Sequence, residues 1–221
     1  MAIKKGDFIE VEYTGRLKEE DLVFDTTDEK LAKEIGLYSK EQSYGPIVIC
    51  LGQGQLLPGI EKEIEGAEVG EFSMDLQPED AFGKKDAKLI RMIPMAAFKK
   101  QNIMPEPGMQ VNVDSMMGII KTAAGGRCLV DFNHPLSGKE INYKVKVNKI
   151  ITDDKEKLKS FISLALNAKD VPIEIKEGKA EITTDKEVPK EIHETLSEKV
   201  KELIPTIKEL SFKVKEKEKV K

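Results

Sequence analysis

The most informative hydrophobic pattern in the chain lies between Pro46 and Glu71. An apolar run from Ile47 to Leu51 meets the Gly52-Gln53-Gly54 turn, which predicts a strand that leads directly into a helix. Pro58 suits the first helical position, and Gly66 suits a left-handed cap at the helix end. Because a helix of about two turns is unstable alone, its apolar side must pack against a sheet. This side comprises Leu56, Leu57, Ile60 and Ile64.

The N-terminal part of the chain carries the pattern of two strands and a helix start. The alternation from Ile9 to Tyr13 predicts a strand with one buried face, and Gly15 is expected to end that strand. The run from Leu22 to Phe24 predicts a short second strand. Thr26 and Glu29 have the spacing of a capping box, which predicts a small helix capped by Thr26.

Two further strands and a methionine-rich stretch follow the central segment. Residues Phe72 to Leu76 alternate as a strand, and Ile141 to Val147 show the clearest alternation in the chain. Between them the character of the sequence changes, because six of the eight methionines fall between Met92 and Met117. This stretch predicts a small β-rich unit, with strand-like runs at 89–93, 109–113, 118–120 and 128–132.

From Asp153 the pattern becomes helical and the charge density rises. Apolar residues from Leu158 to Leu166 recur at spacings of three and four, which predicts an amphipathic helix. A hairpin is expected around Glu177-Gly178, and a second helix is expected from Pro189 to Pro205. A last strand is predicted from Leu210 to Val214, so this part of the chain has the pattern of an α+β domain.

The composition narrows the functional classes. The chain has 221 residues, of which 34% are charged, and a net charge of −4, so it lacks the positive field that nucleic-acid binding requires. Cys50 and Cys128 are far apart in sequence, which favours a reducing compartment. There is no apolar run of membrane-spanning length and no signal-peptide pattern. We therefore expect a cytoplasmic protein with no membrane and no nucleic-acid partner.

Few residues offer the groups that covalent or metal catalysis uses. The two histidines, His134 and His193, have no cysteine or carboxylate at ligand spacing, so we expect no metal site and no cofactor. Gly52-Gln53-Gly54 lacks the lysine of a phosphate-binding loop, and the chain has no GxSxG motif. One reaction class requires none of these groups. Rotation about an X-Pro amide is accelerated by an apolar pocket that removes water from the bond.

Four sequence blocks carry a family resemblance. VEYTG (11–15), VFDTT (23–27), LGQGQLLPGIEKEIEGAEVGE (51–71) and PEDAFG (78–83) occur in an order and spacing that resemble the FKBP family of peptidyl-prolyl cis/trans isomerases. Residues 84–131, followed by NHPLSGK, resemble the insert-in-flap domain of SlyD-like members. With its added C-terminal domain, the whole chain is similar to the long archaeal FKBP type.

The resemblance implies an α+β fold and a division into three domains. An antiparallel β-sheet would wrap on a short helix, as in the FKBP fold, and would carry an inserted small β-rich domain and a C-terminal α+β domain. The isomerase domain would comprise residues 1–83 plus 132–152, the insert-in-flap chaperone domain residues 84–131, and the C-terminal domain residues 153–221. The implied activity is isomerisation of X-Pro bonds in unfolded or nascent proteins, by desolvation and without covalent or metal catalysis.

The family also implies which residues form the prolyl pocket. Asp25 would be the polar group at the pocket edge, and the backbone N–H of Leu57 would hold a substrate carbonyl. An acid that follows the buried aromatic Phe24 is costly unless it is paired or useful, which favours a functional role for this pair. Ile47 or Tyr143 taken alone fits an ordinary core position equally well. The implied catalytic residues are Tyr13, Phe24, Asp25, Leu57 and Phe82, and the implied substrate-binding residues are Ile47, Leu56, Ile60 and Tyr143.

Two positions depart from the family pattern. Phe82 stands where the family usually has tyrosine, so one hydroxyl donor is missing, and Ile60 stands where many members have tryptophan. Both changes make the pocket more apolar and less able to hold a carbonyl group. We expect isomerase activity to be retained and macrolide binding to be weaker. The histidine-rich tail of some SlyD-like proteins is absent, so nickel handling is not implied.

The methionines of the insert suggest a chaperone site. Thioether side chains are flexible and polarizable, so a methionine-rich surface can bind many apolar sequences. For each methionine alone, a place in a small irregular core is the simpler explanation. As a cluster beside a prolyl pocket they predict a docking site for unfolded or nascent polypeptides, formed by Met92, Met95, Met104, Met109, Met116 and Met117.

Three alternatives remain open at this point. The protein could be a holdase-type chaperone whose pocket has little or no turnover because of Phe82. Binding to nucleic acid or the ribosome through the Lys-rich end, KVKEKEKVK, is disfavoured because that segment mixes both charge signs. The C-terminal domain could pair with a second copy as a homodimer, or could form another substrate surface.

Overall fold

The computed structural model describes residues 1–168 and 171–215. The end of the predicted C-terminal domain and most of the KVKEKEKVK segment therefore lie outside the described residues. No helix in the described part of the chain is both long enough and apolar enough to cross a membrane. In chain order, the helices and strands are β1 (Phe8–Leu17), β2 (Val23–Thr26), α1 (Glu29–Glu34), β3 (Ile47–Cys50), α2 (Pro58–Ile64), β4 (Gly70–Leu76), β5 (Ile90–Pro94), α3 (Met95–Lys99), β6 (Gln110–Val113), β7 (Met116–Ala124), β8 (Arg127–Asp131), β9 (Ile141–Ile151), α4 (Asp154–Leu166), β10 (Ile173–Lys176), β11 (Lys179–Thr184), α5 (Lys190–Leu203) and β12 (Glu209–Val214).

The chain divides into two compact units. The first comprises residues 1–75 together with the described residues from 142 onwards, and the second comprises residues 76–141. The mixed α+β architecture with mainly antiparallel sheets agrees with the fold class predicted from the sequence.

The first unit is built on a five-stranded sheet with the order β2-β1-β9-β4, in which β3 also pairs with β1. The first half of β1, from Phe8 to Val11, is antiparallel to β3, and its second half is antiparallel to β2. The expectation that Gly15 ends this strand is wrong, because β1 continues to Leu17 and Gly15 lies opposite Asp25 in the ladder.

The central segment folds as its pattern predicts. Helix α2 starts with Pro58, and Gly66 follows it with a φ of +85°, as a left-handed cap requires. Ile60 and Ile64 are fully buried, whereas the charged residues between them are accessible. The N–H of Gly66 donates to the carbonyl of Ile3 at 2.8 Å, which ties the end of the helix to the N-terminal segment.

The cap of helix α1 differs from the prediction. Asp28 caps the helix through Oδ1, which accepts hydrogen bonds from the N–H groups of Lys30 at 2.8 Å and Leu31 at 3.2 Å. Thr26, the predicted cap, is buried and donates its hydroxyl to the carbonyl of Tyr13 at 3.3 Å. Both residues suit a cap, and strand pairing with β1 decides between them because it holds Thr26 in the sheet.

The C-terminal part of the first unit packs on the first sheet through helix α4. Asp153 caps this helix by accepting from the N–H of Glu156 at 2.8 Å. The buried residues Leu158, Phe161 and Ile162 of α4 belong to the same hydrophobic cluster as Phe8 and Cys50 of the sheet. Residues before and after position 153 therefore share one core.

A three-stranded sheet completes the first unit. Strands β10 and β11 form the predicted hairpin, in which Glu177 and Gly178 both have positive φ, and β12 is parallel to β11. The parallel pairing requires a crossover, which helix α5 provides while it buries Leu196 and Val200.

The second unit is a four-stranded antiparallel sheet with the order β5-β8-β7-β6. Helix α3 was not predicted from the sequence, because five residues are too few to show a helical period. Its Phe98 packs into a core with Val111, Ile120, Cys128 and Val130.

Candidate active site

Three aromatic rings from three strands of the first sheet form a cluster, in which Tyr143 is buried and the other two rings are half-buried. Tyr13 comes from β1, Phe24 from β2 and Tyr143 from β9. The ring of Tyr143 lies 5.9 Å from that of Tyr13 and 5.8 Å from that of Phe24, and the second pair is edge to face at 73°. These distances fall within the favourable range for aromatic pairs. The predicted residues Tyr13, Phe24 and Tyr143 therefore lie together.

The carboxylate of Asp25 accepts hydrogen bonds from the tyrosines of this cluster. The hydroxyl of Tyr143 donates to Oδ2 of Asp25 at 3.3 Å, and the hydroxyl of Tyr13 also donates to Asp25. Burial raises the pKa of Asp25, and the hydrogen bonds from Tyr143, Thr26 and Tyr13 partly offset this effect. The carboxylate is therefore partly desolvated and held in place by hydroxyl donors.

Burial also acts on the two tyrosines. It raises the pKa of Tyr13 to about 12, and the charge of Asp25 adds to the effect. Burial raises the pKa of Tyr143 as well, again with a contribution from the Asp25 charge. Both hydroxyls therefore stay protonated at physiological pH and remain donors to Asp25.

Gly15 makes room for the aromatic rings. A Cβ atom at this position would lie 2.6 Å from Cζ of Tyr143 and 2.8 Å from Cζ of Phe24, which is closer than real Cβ contacts allow. Gly15 is also directly opposite Asp25 in the β1–β2 ladder, next to an irregularity between Gly15 and Arg16. The absence of a side chain here lets the rings approach the strand backbone.

Backbone hydrogen bonds to Thr27 fix the position of Tyr13. The N–H of Tyr13 donates to Oγ1 of Thr27 at 2.9 Å, and the N–H of Thr27 donates to the carbonyl of Tyr13 at 2.9 Å. Thr27 is itself buried. The VFDTT block thus supplies a ring, the carboxylate and the threonine that holds the opposite strand.

The turn between β3 and α2 positions the remaining predicted residues of the first unit. Gln55 closes this turn, because its Oε1 accepts from the N–H of Cys50 at 2.7 Å. Among the described residues, no group accepts a hydrogen bond from the amide of Leu57. Ile47, Leu56 and Leu57 are half-buried, whereas Ile60 is only 1% exposed and lies in the core.

Phe82 belongs to the second unit. Its ring stacks on that of His134 with the centroids 4.7 Å apart and the planes 7° from parallel. The hydroxyl of Ser137 donates to the carbonyl of Phe82 at 3.1 Å. The predicted turn residues 133–138 thus hold the segment that contains Phe82.

The six predicted methionines of the insert fall into two groups. Met95 and Met109 are half-buried and pack against the core of the second unit, and Met116 is half-buried as well. The other three are exposed side chains: Met92 at 65%, Met104 at 77% and Met117 at 59%.

Few of the described residues offer groups for metal binding or for nucleophilic catalysis. They contain no group of three or more histidine, cysteine, aspartate or glutamate side chains that could hold a metal ion. Burial raises the pKa of the Cys50 thiol to about 11, so Cys50 is a poor nucleophile. The cluster around Asp25 offers instead a set of aromatic faces with one carboxylate at its side.

Three contributors to this region were missed in the sequence. The sequence pattern indicates a strand end at Gly15, and it gives no role to Gln55 and no partner to the hydroxyl of Tyr143. A glycine inside an alternating strand is a signal of close approach. The partners of Gln55 and Tyr143 depend on the tertiary fold and have no local signal.

Comparison with known proteins finds two matching family models. Residues 1–98 match the model described as FKBP-type peptidyl-prolyl cis-trans isomerase, and residues 91–136 match the model described as FKBP26, IF domain. The chain is 36% identical over 149 residues to a short-type peptidyl-prolyl cis-trans isomerase of Methanocaldococcus jannaschii, covering 67% of this chain and 94% of the relative. It is 31% identical over 108 residues to a probable FKBP-type 16 kDa peptidyl-prolyl cis-trans isomerase of Pseudomonas fluorescens, covering 46% and 71%. It is 28% identical over 152 residues to the FKBP-type peptidyl-prolyl cis-trans isomerase SlyD of Haemophilus influenzae, covering 66% and 72%.

Proposed function

The chain belongs to the family of FKBP-type peptidyl-prolyl cis-trans isomerases, and from this premise we propose how it isomerises X-Pro bonds and captures its substrates. The aromatic cluster around Asp25 binds the prolyl ring and removes water from the amide, and the second unit captures unfolded or nascent chains. The observation that carries the catalytic part is the convergence of Tyr13, Phe24 and Tyr143 on one hydrogen-bonded carboxylate.

The physical basis of catalysis is the polarity of the planar amide. Rotation about an X-Pro bond breaks its resonance and faces a barrier of about 18–20 kcal/mol. The planar amide is more polar than the twisted one, so an apolar site disfavours the ground state relative to the transition state. Aromatic rings that exclude water suit this purpose, and the reaction needs no nucleophile or metal.

Asp25 orients the aromatic cluster in this mechanism. By accepting from both tyrosine hydroxyls, its carboxylate fixes the two rings whose faces meet the substrate. No described group accepts a hydrogen bond from the amide N–H of Leu57. This N–H is therefore available to donate to a substrate carbonyl. These roles place Asp25 and Leu57 at the polar side of an otherwise apolar site.

The second unit presents a sheet face with a group of apolar side chains, next to the ion-paired Asp131, that suits the capture of unfolded chains. Met92 pairs with Leu129, and Ile90 and Ile119 both pair with Asp131, so these side chains point to one face. Met117 is two residues before Ile119 on β7 and shares this face. The opposite face carries Cys128 and Val130 and forms the core with Phe98. We call the face formed by Ile90, Met92, Met117, Ile119 and Leu129 the open face.

The open face has the properties of an adaptable binding surface. Two of its members, Met92 and Met117, expose most of their side-chain surface. A flexible thioether surface accommodates different apolar sequences, and tethering a substrate there raises its effective concentration at the catalytic site. The proposed partners are therefore unfolded or nascent polypeptides.

A cytoplasmic location is part of this proposal, because both cysteines are free and buried, as a reducing compartment would leave them.

The full chain should be assayed on an X-Pro tetrapeptide and on an unfolded protein whose refolding is limited by proline isomerisation. We expect acceleration of both reactions, with a higher kcat/KM for the unfolded protein. A second candidate function, a holdase without turnover, is favoured by Phe82, which lacks the hydroxyl usual at that position. Suppression of aggregation without acceleration of either reaction would establish the holdase and refute catalysis.

A further inference from the structure

Helix α4 has a second face that the core does not use. Its core face is formed by Leu158, Phe161 and Ile162, which are buried. Ser160, Ser163, Leu164 and Asn167 recur at spacings of three and four and therefore form a different stripe of the same helix. Leu164 on this stripe is a large apolar side chain that is 46% exposed.

This stripe lines one wall of a groove of about 520 Å³. The opposite wall consists of the loop residues 41–43 and the start of strand β3, including Ile47 and Val48. Tyr13 of the aromatic cluster also lines the groove. The volume lies within the range of about 300–1,000 Å³ that is usual for ligand sites.

The strand wall of the groove offers backbone hydrogen-bonding groups. The N–H of Cys50 donates to the side chain of Gln55, so it points away from β1. Because the hydrogen-bonding direction alternates along a strand, the N–H and C=O of Val48 point to the same outer side. Val48 lines the groove, and β3 pairs only with β1 among the described strands. An extended chain placed in the groove can therefore add to this edge.

We propose that the groove between α4 and β3 is a subsite for the extended polypeptide that flanks the proline of the substrate. The inference rests on the proposed function, because it extends the site from Tyr13 and Ile47 onto a helix of the C-terminal part of the chain. A peptide bound at the aromatic cluster reaches the groove at Tyr13, passes along Val48 and packs an apolar side chain against Leu164.

The lining of the groove favours a neutral polypeptide over other ligands. In a chain with 34% charged residues, Glu41 is the one charged side chain among the described residues that line it. Serine, asparagine and glutamine side chains alternate with Ile47, Val48 and Leu164 on its walls. Such a surface can satisfy peptide groups and bury apolar side chains, and its described residues supply no cation for an anionic ligand.

Binding can be detected directly because the chain contains no tryptophan. Leu164→Trp places a single reporter in the groove, and Ala165→Trp places one on the next, exposed residue, which does not line the groove. The full-length variants should be titrated with a nonapeptide that has one central proline and with its X-Pro tetrapeptide core. We expect saturable emission changes only for Leu164→Trp and only with the nonapeptide.

Kinetics of the unmodified protein provide the second measurement. We expect KM for the nonapeptide to be about fivefold lower than for the tetrapeptide, as one or two net hydrogen bonds would give. Ser163→Trp, which fills the groove, should abolish this difference. Equal responses of the two tryptophan reporters, or equal KM values for the two peptides, would overturn the subsite and leave the isomerase assignment intact. No turnover of either peptide would refute the proposed function, and the titration would still decide whether the groove binds the nonapeptide.

Discussion

The hydroxyl of Tyr143 donates to Oδ2 of Asp25 at 3.3 Å and joins two residues that are 118 positions apart in the sequence. Tyr143 is buried, and its ring contacts both other aromatic rings of the cluster. This bond therefore couples the orientation of the rings to the position of the carboxylate.

Tyr143→Phe removes this hydrogen bond and keeps the ring. We expect kcat/KM on an X-Pro tetrapeptide to fall about tenfold, which corresponds to ~1.4 kcal/mol of transition-state stabilisation. The matched control is Tyr44→Phe, because the hydroxyl of Tyr44 forms its hydrogen bonds with residues of the loop 37–42. A rate equal to that of the unmodified protein would remove the Tyr143 hydroxyl from the mechanism.

Asp25→Asn should stabilise the protein at neutral pH. Because burial raises the pKa of Asp25 above its unfolded value, the folded state favours the protonated acid. The contribution of Asp25 to stability is therefore fully present below the unfolded pKa and is lost as the pH rises through the folded pKa. The neutral amide escapes this loss, so the gain in melting temperature should be larger at pH 7 than at pH 3.

The same substitution, Asp25→Asn, should also change the activity. We expect Asp25→Asn to lower kcat/KM by about tenfold while it raises stability, as happens where a desolvated functional group is replaced. Asp21→Asn, at an exposed residue that pairs with Arg16, is the control for loss of one carboxylate. If Asp25→Asn raised the melting temperature equally at pH 3 and pH 7, the gain would not come from removal of the Asp25 charge.

Gly15→Ala should disturb the ring cluster. The added Cβ would lie 2.6 Å from the ring of Tyr143, so the rings or strand β1 must shift, at a cost of about 1–3 kcal/mol in the free energy of unfolding. Turnover of the tetrapeptide should fall together with stability. Gly70→Ala is the matched control, since a Cβ at this strand glycine meets no atom within 4 Å. Equal denaturation midpoints for the two variants would contradict the packing argument.

Met92→Lys combined with Met117→Lys should impair capture by the open face. Both side chains are exposed, so folding should tolerate the changes, while two charges oppose the binding of apolar segments. We expect the ratio of kcat/KM for unfolded protein to kcat/KM for the tetrapeptide to fall at least about fivefold. Ala96→Lys with Ala97→Lys adds the same charge to exposed positions of α3. A fall of similar size in this control would point to net charge and away from the open face.

Much of the fold was readable because its signals are local. The strand and helix around Pro58, the alternation of β9 and the hairpin at Glu177-Gly178 follow from periodicity, proline and glycine, which act within a few residues. The motif blocks carried the family resemblance and most of the proposed site. Local signals failed where two residues competed for one role, as Thr26 and Asp28 did for the cap of α1.

The sequence by itself determined most of the element types and the central strand–turn–helix segment, and its family resemblance implied that Tyr13, Phe24 and Asp25 lie near one another. Only the tertiary structure decided that Gly15 lies within a strand, that Tyr143 donates to Asp25, and that helix α4 packs on strand β3. The physical reason is that hydrophobic periodicity indicates which side of a helix or strand is buried, but it does not indicate which other helix or strand packs against that side. Partners are chosen by burial and hydrogen bonding between distant segments, and those choices are made when the chain folds as a whole.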